Sequence, residues 1–154
     1  AACRGAIRND ANHISGPSRT GEGSFRALKT VLQGVDPAEL AVVNVHGTAT
    51  PYNDEMESIA LDRAGLAQVP VDGLKGYFGH TMGAAGVLES VLTMHALDAG
   101  LVLGTRGYGE CGVSRPLRLT ARHTATTRSC FVKLLSGFGG CNAALLFKRG
   151  GGLC

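Results

Sequence analysis

Two histidines lie in sequence settings that could support chemistry. His46 follows the apolar run at 41–45, His80 follows the segment KGYFG at 75–79, and both precede glycine and other small residues. Catalytic groups concentrate where a loop leaves a rigid element. We therefore expect each imidazole to stand at a strand end and to face a cavity.

A lysine and a carboxylate accompany the two histidines. Lys75 precedes His80 by five residues, and Glu57 follows His46 by eleven. Two imidazoles, one ammonium and one carboxylate can hold a pocket in a fixed protonation pattern. Because Lys75 lies in an apolar segment, we predict that it is buried and pairs with Glu57. Glu57 also suits the N-terminus of a helix, which is the alternative interpretation.

Short apolar runs predict the elements that position these residues. Residues 41–45 and 74–78 have the pattern of buried strands. Asn53 is typical of a helix N-cap, with Asp54, Glu55 and Glu57 in the first turn and the helix ending near Gly65. His46 is thus expected between a strand and a helix.

The remaining chain continues the alternation of strands and helices. Residues 84–99 predict a helix that is apolar on nearly all sides and therefore buried. Residues 128–135 and 143–148 predict two strands joined by a glycine-rich hairpin with Phe138 in its turn, and 100–127 predict an irregular excursion. The order indicates a mixed α/β fold in one domain at 1–150, followed by a tail at 151–154.

Composition excludes several classes of protein. Apolar residues make up 44% and charged residues 18% of the chain, which is ordinary for a globular domain. The net charge of +3 comes without a basic cluster, so nucleic-acid binding is not expected. The five cysteines show no CxxC spacing, so no metal site is predicted. The sequence has no signal-like start and no long apolar run, so we expect a cytoplasmic protein without a membrane span.

Two further motifs suggest alternative functions. Residues 79–83, GHTMG, resemble a nucleophile elbow with Thr81 in the serine position, but no acid partner is evident. Residues 107–112 satisfy GxGxxG, but Pro116 interrupts the helix that a dinucleotide site needs. A glycine-rich turn is the simpler interpretation.

The chain resembles the β-ketoacyl-acyl carrier protein synthases, whose fold is the thiolase fold. Four motifs carry the resemblance in the family's order: NDANHIS at 9–15, HGTATPYNDEME at 46–57, KGYFGHTMGAAG at 75–86 and SGFGGCNAA at 136–144. The chain departs from the family at the last motif, where Leu134-Leu135-Ser136 replace Asn-Ser-Phe and Cys141 replaces threonine. The family's nucleophilic cysteine belongs to a part that this sequence does not contain. The resemblance thus implies a C-terminal half, incomplete without an N-terminal half.

The resemblance implies a decarboxylative Claisen condensation and a role for each matched residue. His46 and His80 would donate N–H groups to the malonyl thioester oxygen, and Lys75 would keep His80 neutral. Asp54 and Glu57 would support the site. The remaining matches are substrate-binding residues: Thr48 and Thr50 for the phosphopantetheine arm, and Phe138 as a gate.

The resemblance also implies partners. Substrates would arrive on the phosphopantetheine of acyl carrier protein, with no cofactor bound to the enzyme itself. The N-terminal half carrying the cysteine would be a second partner, in a homo- or heterodimer. Two alternatives stay open: a non-catalytic subunit like a chain length factor, and a remnant that binds acyl carrier protein.

Overall fold

A computed structural model describes residues 1–150 and shows a mixed sheet with helices on both faces. The strands are β1 (Ala2–Asn9), β2 (Leu40–Asn44), β3 (Pro70–Asp72), β4 (Leu101–Val102), β5 (Arg118–Leu119), β6 (Thr124–Ala125), β7 (Cys130–Gly137) and β8 (Cys141–Lys148). The helices are α1 (Glu22–Val31), α2 (Pro51–Arg63), α3 (Lys75–Phe78) and α4 (Ala85–Asp98). The tail predicted at 151–154 lies outside the described residues, and the domain boundary at 150 stays a prediction.

The main sheet has six strands in the order β1-β8-β7-β2-β3-β5. β2 runs parallel to both β7 and β3, and β8 runs antiparallel to both β7 and β1. All five residues of β2 are buried, as expected for a parallel strand covered on both faces. β4 and β6 form a separate two-stranded ribbon.

Two apolar clusters hold the layers together. One joins α1 and α2 to one face of the sheet through residues such as Leu28, Leu61 and Val132. The other joins α4 to the opposite face and includes Phe131 and Phe147, whose stacked rings lie 4.7 Å apart. Since α2 and α4 lie on opposite faces, they approach the end of β2 from two sides.

The C-terminal hairpin confirms the sequence prediction. β7 and β8 pair in register from Cys130↔Lys148 to Gly137↔Cys141. A 3-10 turn at Phe138–Gly140 joins them, with φ of 75° at both Gly139 and Gly140. This left-handed geometry favours glycine and explains the glycine-rich sequence.

The strand predicted at 74–78 is wrong. The chain forms the short strand β3 before Gly73 and then the helical turn α3, in which the Gly79 N–H donates to the Lys75 carbonyl at 2.8 Å. A Cβ at Gly76 would overlap the carbonyl oxygen of Arg106, so α3 depends on a close backbone approach. An apolar run of five residues does not distinguish a strand from a helical turn.

The predicted N-cap of α2 is also wrong. The helix begins at Pro51 with Thr50 at the N-cap position, three residues earlier than predicted. Proline suits the first helical position because its φ is already helical and no N–H is needed there. The Asn53 amide instead donates to the Thr48 hydroxyl at 3.1 Å.

The helix α4 occurs close to the predicted bounds but is not buried on nearly all sides. Val87 is 71% exposed and Val91 is 38% exposed. The buried face carries Glu89, Ser90 and Thr93. Only one side of the helix contacts the sheet, and that side is the more polar one.

Two elements near the N-terminus had no counterpart among the sequence predictions. They are β1, which forms one edge of the sheet, and α1, which packs beside it. Within residues 1–150, no helix is long and apolar enough to cross a membrane.

Candidate functional site

The two histidines singled out from the sequence meet in the structure. Their ring centroids lie 5.1 Å apart in an edge-to-face arrangement. His46 follows the end of β2 and is 6% exposed, whereas His80 is exposed and follows α3 rather than a strand. A cavity of about 920 Å³ is lined by both rings. The predicted strand end is therefore right for His46 and wrong for His80, but both face a cavity.

Charged side chains hold the backbone of His46 on both sides. The Glu57 carboxylate accepts the N–H of His46 at 2.7 Å and the N–H of Gly47 at 2.8 Å. The Lys75 ammonium donates to the His46 carbonyl oxygen. Hydrogen bonds to charged groups are stronger than those between neutral groups, so these contacts fix the orientation of the backbone at residues 46–47.

The predicted pairing of Lys75 with Glu57 is wrong. Lys75 is buried, as predicted, but its ammonium pairs with the Glu89 carboxylate at 2.8 Å. Glu57 uses both of its oxygens on backbone N–H groups of the 46–47 segment. The carboxylate that pairs with Lys75 comes from α4, on the opposite face of the sheet from α2.

A second buried lysine shares the same carboxylate. The Lys133 ammonium donates to Glu89 and also to the Val45 carbonyl oxygen at 2.9 Å. The side chains of Lys133 and Glu89 are both 0% exposed. Sequence reasoning missed both residues, although a single charge inside an apolar strand or helix is the signal that would have found them.

The electrostatics of this cluster act on His46. Burial in first place, followed by the positive charges of Lys75 and Lys133 and the neighbouring His80, lowers the pKa of His46 to about 3. The sequence prediction assigned the effect of Lys75 to His80; in the structure this effect falls on His46. At neutral pH the His46 ring is therefore uncharged and carries a single N–H donor.

Two buried carboxyl groups beside the cluster have pKa values that are shifted upward, opposite to the shift of His46. Burial raises the pKa of Glu57 to about 7 against the opposing backbone N–H groups of Gly47 and His46. Burial also raises the pKa of Asp72 to about 7, opposed by the amide of Asn44, which donates to it at 2.6 Å. Both groups thus bind protons close to neutral pH.

Three of the other predicted residues line the same cavity as the two histidines. The hydroxyl oxygens of Thr48 and Thr50 lie 2.8 Å apart, and both residues line the cavity. Phe138 also lines it and is 76% exposed. Asp54 does not line this cavity but lines a neighbouring one, together with Thr48 and His80, and burial raises its pKa.

The structure thus places Lys75 and Glu57 on the backbone of His46 without pairing them with each other, and the roles of the predicted residues stay predictions. Among residues 1–150, no group of three or more histidine, cysteine, aspartate or glutamate side chains could hold a metal ion. The candidate site consists of two imidazoles above a buried cluster of lysine and carboxylate groups.

Comparisons with known proteins identify the family. Residues 1–108 match the model of the β-ketoacyl synthase C-terminal domain. A putative mitochondrial 3-oxoacyl-[acyl-carrier-protein] synthase of Schizosaccharomyces pombe is 32% identical, covering 93% of this chain and 36% of that protein. The chain therefore spans about a third of the length of this relative. Since that relative's name places it in mitochondria, the cytoplasmic location stays a prediction.

Solved structures agree with this match and confirm the predicted fold class. The ishigamide ketosynthase/chain length factor superimposes with a TM-score of 0.89 at 29% identity, over 97% of this chain and 38% of that one. The ketosynthase ApeO in complex with its chain length factor ApeC from Xenorhabdus doucetiae superimposes with a TM-score of 0.87 at 29% identity, over 95% of this chain and 38% of that one. The chain belongs to the β-ketoacyl synthase family, whose C-terminal domain it matches.

Proposed function

We propose that this chain is the C-terminal part of a β-ketoacyl-acyl carrier protein synthase, supplying two histidines to a condensation whose nucleophilic cysteine lies on an N-terminal part. The reaction joins malonyl-acyl carrier protein to an acyl group held on that cysteine. The observation that carries the proposal is the pair of imidazoles. Their ring centroids lie 5.1 Å apart on one cavity, and the His46 ring is uncharged at neutral pH.

The chemistry needs stabilisation of negative charge on one oxygen. The bond between the malonyl C2 carbon and its carboxylate breaks, carbon dioxide leaves, and the electron pair forms an enolate with its charge on the thioester oxygen. The N–H groups of His46 and His80 would donate to this oxygen. A preorganised donor of this kind typically contributes about 3 to 4 kcal/mol.

The second step forms the new carbon–carbon bond. The enolate carbon attacks the carbonyl of the acyl-cysteine, the carbon–sulfur bond breaks, and the cysteine leaves as a thiolate. A neutral His46 suits the first step, because a protonated ring could transfer a proton to the enolate carbon and end the reaction without condensation. The burial of His46, together with the charges of the buried lysines, lowers its pKa and supports this role.

Thr48, Thr50 and Phe138 suit delivery of a carrier-bound substrate. The hydroxyls of Thr48 and Thr50, 2.8 Å apart, would bind the phosphopantetheine arm of acyl carrier protein. Phe138, exposed in the turn between two glycines, would gate the entry of the acyl chain. No cofactor bound to the enzyme is needed for this chemistry.

A second candidate is a non-catalytic subunit like a chain length factor. The relatives whose structures contain a ketosynthase with a chain length factor favour it. The presence of both histidines and of Lys75 favours the catalytic function, since a subunit that only shapes a cavity does not need them. A remnant that only binds acyl carrier protein or acyl thioesters is the third possibility.

The test is decarboxylation of malonyl-acyl carrier protein by the chain together with a cysteine-bearing N-terminal part. We expect turnover in the wild type and its loss, by about 100-fold or more, in His46→Ala. His95→Ala is the matched control, because His95 is exposed on α4 and lines neither of the two cavities that contain His80. Equal turnover in His46→Ala and wild type would contradict the proposal, and binding of acyl thioester without any turnover would favour the remnant.

A further inference from the structure

Lys133 is a buried charge for which the proposed mechanism has no direct use. It lies in the middle of β7, among the buried residues Phe131, Val132 and Leu134, and its side chain is 0% exposed. Replacing a buried ion pair with apolar side chains is often neutral or favourable for stability. Stability alone therefore does not explain a lysine at this position.

The contacts of Lys133 mirror those of Lys75. Lys133 donates to the carbonyl of Val45 at 2.9 Å, and Lys75 donates to the next carbonyl, that of His46. Each ammonium also contacts one oxygen of Glu89. A single carboxylate from α4 thus joins two lysines that hold two consecutive carbonyl groups at the end of β2.

The charges in this cluster do not cancel in acid solution. Two ammonium groups and one carboxylate lie next to the backbone of His46 and sum to one net positive charge. Glu57 and Asp72 also face the cluster, but burial raises the pKa of both to about 7, so both are largely protonated in the range below pH 7 in which the His46 ring titrates. Burial lowers the pKa of the Lys133 ammonium, and the Glu89 carboxylate opposes this shift.

We propose that Lys133 is a positioning residue for His46: it fixes the end of β2 through Val45 and Glu89, and it supplies the excess positive charge that disfavours protonation of the imidazole in acid solution. The kinetic consequence of this role rests on the proposed function, whereas the charge state of His46 does not. Lys75 alone would form a neutral pair with Glu89 and leave no excess charge.

The test compares three variants in the protein as it is purified, alone or with its partner. Lys133→Met removes the charge at similar length, Lys133→Arg keeps the charge, and Lys133→Met with Glu89→Gln removes one charge of each sign. Titration of the His46 ring is followed by ¹⁵N NMR of labelled histidine. We expect Lys133→Met to raise the pKa of His46 by about one unit or more, and the other two variants to stay close to wild type.

Two outcomes would overturn the proposal: a folded Lys133→Met with an unchanged His46 titration, or an equal rise in Lys133→Arg. If Lys133→Met does not fold, the same titration in Lys133→Arg and in the double variant decides. A His46 pKa close to wild type in both supports the charge role, and a rise in both contradicts it.

A kinetic measurement separates this proposal from the proposed function. In Lys133→Met the acid limb of the pH profile for malonyl decarboxylation should move upward by the same amount as the His46 titration. If the titration moves and no variant or wild type turns over substrate, Lys133 has the proposed electrostatic role and the proposed function fails. If wild type turns over and the acid limb does not move, the positioning role fails.

Discussion

At the scale of the residue, the site depends on burial combined with a few opposing charges. The same burial that lowers the pKa of His46 to about 3 raises the pKa of Glu57 and Asp72 to about 7, because burial disfavours the charged form of each group. At neutral pH, Glu57 and Asp72 are therefore only partly ionised, whereas exposed carboxyl groups would be fully ionised, and the His46 ring stays uncharged even in mildly acid solution, where an exposed ring would be protonated. The free energy of unfolding must therefore depend on pH, and substituting one of these groups should change that dependence.

Asp72→Asn provides a test of this electrostatic picture. With a pKa raised in the folded state, Asp72 stays protonated there while it ionises in the unfolded chain, so its contribution to stability falls as pH rises from about 4 through 7. Asparagine does not titrate. We expect Asp72→Asn to gain stability relative to wild type with increasing pH, by at most about 1.4 kcal/mol per pH unit over that range.

Urea unfolding of Asp72→Asn and wild type at pH 4.5 and at pH 8 measures this difference. Because the variant keeps the size of the side chain beside Asn44, any cost from altered packing should be the same at both pH values. A stability difference that does not change with pH would contradict the raised pKa.

At the scale of the element, short segments place the two histidines. His46 depends on the central strand β2, whose buried apolar sequence predicted it correctly. His80 depends on α3, a helical turn that the sequence pattern did not distinguish from a strand. The position of α3 depends on Gly76, which lies against the backbone of Arg106.

Gly76→Ala tests this dependence. The added Cβ would overlap the Arg106 carbonyl, so one of the two backbone segments must move. We expect a loss of about 1 to 3 kcal/mol in the free energy of unfolding, measured in urea. Gly83→Ala is the matched control, because its Cβ would meet no atom within 4 Å, and it should change stability by about 0.5 kcal/mol or less. Equal effects of the two substitutions would show that the close approach at Gly76 does not matter.

At the scale of the whole molecule, the chain matches about a third of the length of its relatives. The helix α4 turns a polar side to its own sheet and leaves Val87 and Val91 exposed. An exposed apolar helix side is typical of a surface that another chain or segment covers. This agrees with the proposal that an N-terminal part completes the enzyme.

The native mass of the protein, isolated from its source under non-denaturing conditions, tests that proposal. We expect a species heavier than 15.9 kDa that contains a segment carrying the upstream cysteine, identified by intact mass. A lone 15.9 kDa species, or a homomer without that segment, would contradict the catalytic assignment and favour the binding alternatives.

The sequence by itself determined the features that depend on neighbouring residues. Apolar runs predicted β2 and the β7–β8 hairpin, and glycines predicted the turn at Phe138–Gly140. The motifs around His46 and His80 predicted the family and the cavity that both rings face. These features arise from local backbone preference and from burial patterns, which are read directly along the chain.

Only the tertiary structure decided which charges meet. Glu89 lies 14 residues from Lys75 and 44 from Lys133, and no local pattern links these positions. The sheet order brings β7 beside β2 and α4 against them, so the pairing follows from packing across the sheet. The sequence therefore predicted which imidazoles face a cavity, whereas the fold decided how deeply His46 is buried and which buried charges lower its pKa further.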